Sequence, residues 1–484
     1  MSRCRLRLIP GLLILLLIPV STPTIAASPL RQGLEDVISI RIDPGYNGRF
    51  RAQDWFPLRI EVENNGVDVD GQLVVRPETT DGVINTFSTP ISLPNGARKT
   101  AFLYIIAQNH TQQVRVELLD PNGLVVTESE TVIRSLLPQD QLVMVVSATN
   151  RPLDLTSVAV GGYGTSQGNW SIENIPDRAA ALDAISLMVI NDIDTGTLTP
   201  AQEQALAGWV AGGGHMVVAG GPNWEATAAG LDNLLPFVPE DSETVETMAG
   251  METLVGDRAT QLSGQTVVAT GTVLPGAQVL AISPDDLPLL IRHTPGLGTV
   301  DYLVADPTLP PLRNWDRLPD LWVSLMTSVV PLPGWSQGFN DNSKAVQAIQ
   351  ILPGVNLLPE VLAMCAFLGV YIALIGPLNY LVLARLNRRE LACVTIPGFI
   401  IVFSVLAWTI GFNLRGDEVT LSRLTVVRSW PDSETARVDQ LIGLLSPRRA
   451  NYDLVMTDER LLRPLQDTAQ GTIRSRLSSV IRLR

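Results

Sequence analysis

Cysteine is nearly absent from this chain. The 484 residues hold three, Cys4, Cys365 and Cys393, and none lies between Arg5 and Met364. The long middle stretch therefore excludes disulfides, a thiolate nucleophile and any cysteine-ligated metal. Its stability must come from apolar cores alone. Histidine is equally scarce, with His110, His215 and His293 the whole set. None has a partner at metal-ligand spacing and no H-E-x-x-H occurs, so each is read as structural. Charge is low as well: 17% of residues are charged against 46% hydrophobic, where a soluble protein carries about 25%. Part of the chain is therefore expected in lipid. What charge there is leans acidic, with a net −13. A nucleic-acid partner would need a basic face, and none is indicated. The acidity instead suits the solubility of a large ectodomain.

What is present begins with "MSRCRLRLIPGLLILLLIPVSTPTIAAS". Arg3, Arg5 and Arg7 precede an apolar stretch from Leu8 to Val20, and the small Ala26 and Ala27 follow. This is the three-part pattern of a signal peptide, expected over 1–27. Near the other end, Val361 to Ala384 and Leu391 to Leu414 contain no charged residue. Each exceeds the roughly 20 residues that cross a bilayer core. The short loop between them carries Arg385, Arg388 and Arg389, and basic residues in short loops stay cytoplasmic. A transmembrane helical hairpin is expected over 360–414, with its tip inside and both outer ends outside. The arginines of the signal peptide give the same orientation. The expected localisation is a multi-pass cell-membrane protein with a large extracytoplasmic N-terminal region. Pro377 removes a helix donor, so a kink is expected near it. Asn379, two residues on, either satisfies a freed carbonyl or a neighbouring helix, or is hydrated at the interface.

From Val37 to about Ser135 short runs alternate apolar and polar residues, as in "VISIRI" and "QQVRVELLDPNG". Turn signals such as Asn64-Asn65-Gly66 punctuate them. This spacing predicts an all-β, immunoglobulin-like sandwich over 28–137, without the paired cysteines of an antibody domain. A different pattern begins at Gln141. "QLVMVVSA" and "SLMVIND" read as buried strands, followed by "TLTPAQEQALAGWVAGGGHMVVAGG". Thr199 caps a helix there, Pro200 takes its first position, and Gln202 completes a capping box. Gly212 to Gly214 end it before the strand "HMVVAGG". Strand, helix, strand with short links is a parallel crossover. An α/β domain is expected over 138–330, then a juxtamembrane connector over 331–359.

The run "LTPAQEQALAGWVAGGGHMVVAGG" resembles the class I glutamine amidotransferase-like (flavodoxin-like) fold of large bacterial membrane-anchored proteins. "PLLIRHTPGLGTVDYLVADPTLPPLRNW" is similar to the late hairpin of those domains. "PLNYLVLARLNRRELACVTIP" and "LLSPRRANYDL" resemble the membrane hairpin and following segment of an uncharacterised bacterial family. That family carries a signal peptide, a β-sandwich, this α/β domain and the hairpin, so the resemblance implies a multidomain chain. Related domains also occur in auxiliary subunits of gliding-type ABC transport systems. In the family a further β-rich domain follows. Only the extracytoplasmic segment 415–484 remains here, expected to be β-rich and either truncated or poorly ordered.

The resemblance implies a fold whose enzymes use a cysteine on a strand-to-helix elbow. Here the equivalent turn reads "NDIDTGTL" and has no cysteine, and no G-x-S-x-G occurs. Asp192, Asp194 and Glu203 echo the first, third and last positions of a calcium loop. Thr197 stands where that loop needs glycine, Pro200 falls inside it, and the capped helix begins too early. A polar turn is the reading of these residues. The default crevice of an open α/β sheet lies at the carboxyl ends of its strands. It would involve Asn191, Asp192, Asp194, Gly220, Gly221 and Asn223, although Gly220-Gly221 fit a plain turn equally well. The expectation is a non-catalytic, membrane-anchored protein that recognises a ligand or protein partner outside the cell, with no cofactor. The alternatives are an accessory subunit of an ABC-type transporter or exporter, and a cell-envelope enzyme with an unrecognised site.

Overall fold

The computed structural model describes residues 37–77, 85–148, 153–256, 262–329, 347–349, 351, 361–415, 419–431, 436–445, 452–455, 461–463, 473–476 and 480–483. The expected signal peptide, and nearly all of the connector over 331–359, lie outside these residues. The described chain is β-rich, with many sheets and few helices.

The first region carries nine strands: β1 (Ile38–Pro44), β2 (Arg49–Arg51), β3 (Phe56–Asn64), β4 (Val69–Val75), β5 (Phe87–Leu93), β6 (Arg98–Ile105), β7 (Gln113–Leu119), β8 (Val125–Val132) and β9 (Arg134–Leu136). They form an antiparallel sheet in the order β1-β3-β6, another in the order β5-β4-β7-β8, and a short β2-β9 pair. Period-two patterning is the cause. In β3, Leu58, Ile60 and Val62 are fully buried while the residues between them are not. They join Leu73, Val75, Val116 and Leu118 in one apolar core. Asn64 is buried at the end of β3, where its side-chain amide donates to the carbonyls of Val67 and Leu93 at 2.8 Å each.

A seven-stranded mixed sheet follows. Its strands are β10 (Gln141–Val146), β11 (Thr165–Trp170), β12 (Leu187–Ile190), β13 (His215–Ala219), β16 (Gln278–Ile282), β17 (Pro288–His293) and β18 (Thr299–Leu303), in the order β11-β10-β12-β13-β18-β17-β16. The five strands from β11 to β18 are parallel, and β17 and β16 add antiparallel pairs. Continuous apolar runs make this possible, because parallel strands covered on both faces cannot alternate. All four residues of β12 and all five of β13 are buried. Helix α1 (Pro200–Ala211) makes the expected crossover between them. The Thr199 hydroxyl accepts from the Gln202 N–H at 3.4 Å, and the Gln202 side chain accepts from the Thr199 N–H at 3.0 Å. Leu206, Trp209 and Val210 are its buried face. Between β13 and β16 the chain adds helix α2 (Trp224–Ala228) and an antiparallel ribbon of β14 (Phe237–Thr247) and β15 (Ser263–Val273). Helix α3 (Leu318–Thr327) closes the region, burying Leu321, Trp322 and Leu325.

Two apolar helical segments come next. The first is α4 (Val361–Ala373), a π-helical turn over Leu374–Leu378, and α5 (Asn379–Arg385); the second is α6 (Ala392–Arg415). Residues Leu362–Arg385 and Arg389–Thr409 are long and apolar enough to cross a membrane. The segments meet through Phe403, whose ring centroid lies 5.5 Å from that of Phe367 and 5.1 Å from that of Tyr371. The chain resumes as an antiparallel hairpin of β19 (Thr420–Ser429) and β20 (Ala436–Leu445). A small sheet of β21 (Tyr452–Val455), β22 (Ile473–Arg476) and β23 (Val480–Leu483) ends it.

Candidate functional site at the carboxyl end of the sheet

The parallel strands β10, β12, β13 and β18 all end on one edge of the sheet, so the residues that follow them converge there. Asn191, next after β12, is 1% exposed. Its backbone N–H donates to the Val146 carbonyl at 3.0 Å. Among the described residues, its side-chain nitrogen and oxygen have no hydrogen-bond partner. A buried amide left unsatisfied costs about 1–3 kcal/mol, and such a group in a native fold calls for a bound water or ligand.

Asp192 follows with φ at 48°. The left-handed region is unfavourable for most L-residues and tolerated by aspartate. Asp192 is held there on both sides: its backbone carbonyl accepts from the Ala148 N–H at 3.3 Å, and its Oδ1 accepts from Asn223 Nδ2 at 3.1 Å. Asp194 turns away into local work. Its Oδ1 accepts from the Gly196 N–H at 3.0 Å, capping a single 3-10 turn over Thr195–Thr197.

The glycine pair after β13 has a packing cause. A β-carbon on Gly220 would stand 2.6 Å from the Val304 carbonyl oxygen, and one on Gly221, where φ is +91°, would stand 2.7 Å from Asp306 Cβ. The exit of β18 comes too close for a side chain. The same approach brings in two residues that the sequence did not single out. The Tyr302 hydroxyl lies 3.1 Å from the Gly220 β-carbon position and has no partner among the described residues; burial pushes its pKa well up. Asp306, 6% exposed, accepts from the Thr308 N–H at 2.8 Å and the Thr308 hydroxyl at 2.7 Å.

The structure thus gathers Asn191, Asp192, Gly220, Gly221 and Asn223 on one edge, with Tyr302 and Asp306 beside them. Chemically this edge offers carboxylates, amides and one hydroxyl. Among the described residues it presents hydrogen-bond donors and acceptors and no nucleophile–base pair. Among the described residues, no group of three or more His, Cys, Asp or Glu side chains is placed to hold a metal ion.

His215, the first residue of β13, meets Asp301 in the middle of β18. Asp301 is fully buried. Its Oδ1 accepts from Arg292 Nε at 2.6 Å, while its Oδ2 accepts from Arg292 Nη2 at 2.7 Å and lies 2.9 Å from His215 Nε2. Arg292 Nη1 donates onward to the Ser328 hydroxyl at 2.7 Å. Burial alone would raise the Asp301 carboxyl, and the hydrogen bonds from Arg292 and His215 outweigh it, so its pKa sits below the usual value.

At the apolar helices, Pro377 sits inside the π-helical turn. A proline lacks the N–H that an α-helical turn would use, and one extra residue in the turn accommodates its ring. Asn379 is 8% exposed and Leu383 6%, one helical turn apart on the packed side of α5. Arg385, Arg388 and Arg389 are exposed around the loop, and the Arg389 guanidinium lies 5.6 Å from the Tyr380 ring centroid.

A family profile described as a domain of unknown function (DUF8726) matches residues 37–134, the region of the first two sheets. No curated protein matches the chain. Among solved structures, the exo-beta-1,4-mannosidase Op5Man5 from Opitutaceae bacterium strain TAV5 is 21% identical, over 34% of this chain and 28% of that one, with a TM-score of 0.23. The CARDB domain of the PF1109 protein from Pyrococcus furiosus is 12% identical, over 20% of this chain and 87% of that one, with a TM-score of 0.16. Macromomycin is 11% identical, over 20% of this chain and 99% of that one, with a TM-score of 0.15. The chain therefore spans little more than a quarter of the mannosidase. Scores this low fix neither fold nor function.

Proposed function

We propose that this is a membrane-anchored extracytoplasmic protein that recognises a ligand or a protein partner at the carboxyl edge of its seven-stranded sheet, without catalysis of its own. In this reading the first two sheets are an immunoglobulin-like spacer. The mixed sheet is an amidotransferase-like scaffold whose turn after β12 carries no cysteine. The two apolar helices are the anchor, with Arg385, Arg388 and Arg389 on the cytoplasmic side. One observation carries the recognition role: the Asn191 amide is 1% exposed with neither polar atom partnered among the described residues. Such a group, at the edge where open α/β sheets bind ligands, supports the reading.

The test is a photo-crosslinking amino acid placed at the exposed Asn223 in native membranes. A specific adduct is expected, and it should vanish in the Asn191→Leu variant. An adduct pattern unchanged by Asn191→Leu, or no adduct at all, overturns the reading. Co-purification from mild detergent separates the rival: a stoichiometric ATPase or permease would make the protein an accessory subunit of an ABC-type transporter.

A further inference from the structure

The β19–β20 hairpin begins five residues after α6 ends. Two paired strands are marginally stable by themselves in water, so this ribbon needs support, and its contacts show where it finds it. Arg437, at the start of β20, donates two hydrogen bonds to Asp183, Nη1 to Oδ1 at 2.9 Å and Nη2 to Oδ2 at 2.5 Å. The same Nη1 stands 3.5 Å from the β-carbon position of Gly212. Trp430, just past the end of β19, brings its Cγ within 3.0 Å of the β-carbon position of Gly296, a residue with φ at +64°. Asp183, Gly212 and Gly296 precede β12, β13 and β18 respectively. The tip of the hairpin therefore touches three turns that all lie at the amino end of the parallel strands.

The base of the hairpin sits elsewhere. The β-carbon position of Gly443, opposite Ser422 near the start of β19, is 2.5 Å from the Ile349 side chain. Ile349 belongs to the chain approaching α4, and β19 to the chain leaving α6. Both flanks of the apolar helices thus meet at the hairpin base, while the hairpin tip holds the sheet. A ten-residue strand such as β19 rises about 33 Å between those two points.

We infer that the β19–β20 hairpin is a stalk whose tip clasps the amino end of the seven-stranded sheet and so turns the carboxyl-end crevice away from the membrane. This rests on the reading that the two apolar helices cross a bilayer. The consequence is a restriction on the occupant. Whatever enters beside Asp192 and Asn223 arrives from the aqueous side, as a soluble or wall-borne molecule, and not as a lipid of the bilayer in which the protein is seated.

The experiment uses the full chain in lipid nanodiscs with Cys4, Cys365 and Cys393 replaced by alanine. A fluorophore is placed either at Thr294→Cys, in the exposed turn before β18, or at Glu225→Cys, exposed on α2 beside the crevice. Energy transfer to a headgroup-labelled lipid reads the height of each. The Glu225 site should lie about 15 Å farther from the headgroups, the rise of a five-residue strand. Arg437→Glu should erase that difference, and Asp183→Arg added to it should restore it. A Glu225 site as close as Thr294 in the otherwise unaltered protein, or a difference that survives Arg437→Glu, overturns the clasp. A fluorophore on the native Cys393, with the other two cysteines removed, keeps the premise separate. If lipids with quenchers in their acyl chains fail to quench it, the membrane reading itself fails. If they quench it while the two heights are equal or inverted, only the clasp fails.

Discussion

Two groups of buried side chains in the seven-stranded sheet, one nearer each end, are built on opposite principles. Towards the amino end, Asp301 is fully buried, yet Arg292 and His215 meet both of its oxygens, and Arg292 passes its remaining donors to Ser328. At the carboxyl end, Asn191 and Tyr302 are as deeply buried, and their side-chain polar atoms have no partners among the described residues. Asp192, next after Asn191, has a left-handed backbone. The same strands carry both ends, so the difference lies in the side chains and not in the scaffold. A satisfied buried network fixes a core, whereas an unsatisfied one is a standing cost that folding alone has no reason to keep. Asp301 and its partners hold the fold, while in the proposed reading Asn191 and Tyr302, without partners among the described residues, mark the edge open to a ligand.

The largest test strikes the satisfied end. Asp301→Ala leaves Arg292 and His215 buried without their carboxylate, and breaking such a pair from one side costs about 3–5 kcal/mol. Urea unfolding of the fragment 37–329 should show a midpoint lowered accordingly, or no folded protein. The lowered Asp301 pKa fixes the sign of its pH dependence. Stability from this group is present above the carboxyl's unfolded pKa and lost as pH falls through its folded value. An Asp301→Ala variant as stable as the parent would mean that the network is ornamental, and the contrast between the ends would collapse.

The next test strikes the other end with the opposite expected sign. Asn191→Leu replaces an orphaned amide with an apolar group of similar volume, so the unoccupied protein should gain about 1–3 kcal/mol. Tyr302→Phe should gain less, since it removes a single hydroxyl. Both gains should come with loss of the crosslink at Asn223. Destabilisation by Asn191→Leu would show that the amide is satisfied in the folded protein and that the edge is ordinary core.

How much of this was legible beforehand depends on sequence separation. The crossover from β12 through α1 to β13 could be read because its signals are local: Thr199, Pro200 and Gln202 at the helix start, Gly212 to Gly214 at its end, and apolar runs on both sides. The β17–β18 hairpin and the two apolar segments were read for the same reason. The candidate edge was placed through Asn191, Asp192, Gly220, Gly221 and Asn223, all within one crossover unit. Tyr302 and Asp306 were missed because β18 pairs with β13 across more than eighty residues of chain, and no periodicity announces such a partner. Asp301 and Arg292 were missed likewise, so His215 had been read as structural without the groups that make it so. Asp194 was grouped with the edge by proximity in sequence, whereas its carboxylate is spent on its own turn. The docking of β19–β20 on the amino end had no sequence signal at all, since Arg437 and Asp183 lie 254 residues apart.

A smaller effect is expected at Asp54, which feels the charge of Asp183. Burial pushes the Asp54 carboxyl up to about 6, Asp183 adds to the rise, and Arg51 and Arg463 oppose it. A raised carboxyl favours its protonated form in the fold, so its contribution is present below the unfolded value near 3.8 and lost as pH rises through about 6. The Asp54 side chain is 31% exposed, and after discounting for solvent the change is on the order of 1 kcal/mol. Asp54→Asn should remove that decline and raise the melting temperature at pH 8 more than at pH 4. An equal shift at both pH values would remove Asp54 as the titrating group.

The smallest effect is expected in the apolar helices, where the contrast between satisfied and unsatisfied groups can be posed again. Pro377 opens the helix into a π-helical turn, and Asn379 begins the next segment at 8% exposure. Of the two roles open to Asn379 from the sequence, hydration at the interface would require an exposed side chain. Its burial favours packing against the neighbouring helix. A polar contact between membrane helices contributes about 0.6 kcal/mol, so Asn379→Leu should weaken helix pairing slightly while insertion is unaffected, because leucine is favoured in the bilayer. Pro377→Ala restores an N–H and lets the π-helical turn close into regular α-helix, which rotates Asn379 out of register with its neighbour. In that background the further change Asn379→Leu should cost nothing. Crosslinking between the two helices at Phe367 and Phe403, which touch in the structure, measures all four proteins. Equal losses from Asn379→Leu with and without Pro377 would show that the turn does not aim the asparagine, and would leave the arginine loop as the main determinant of this stretch.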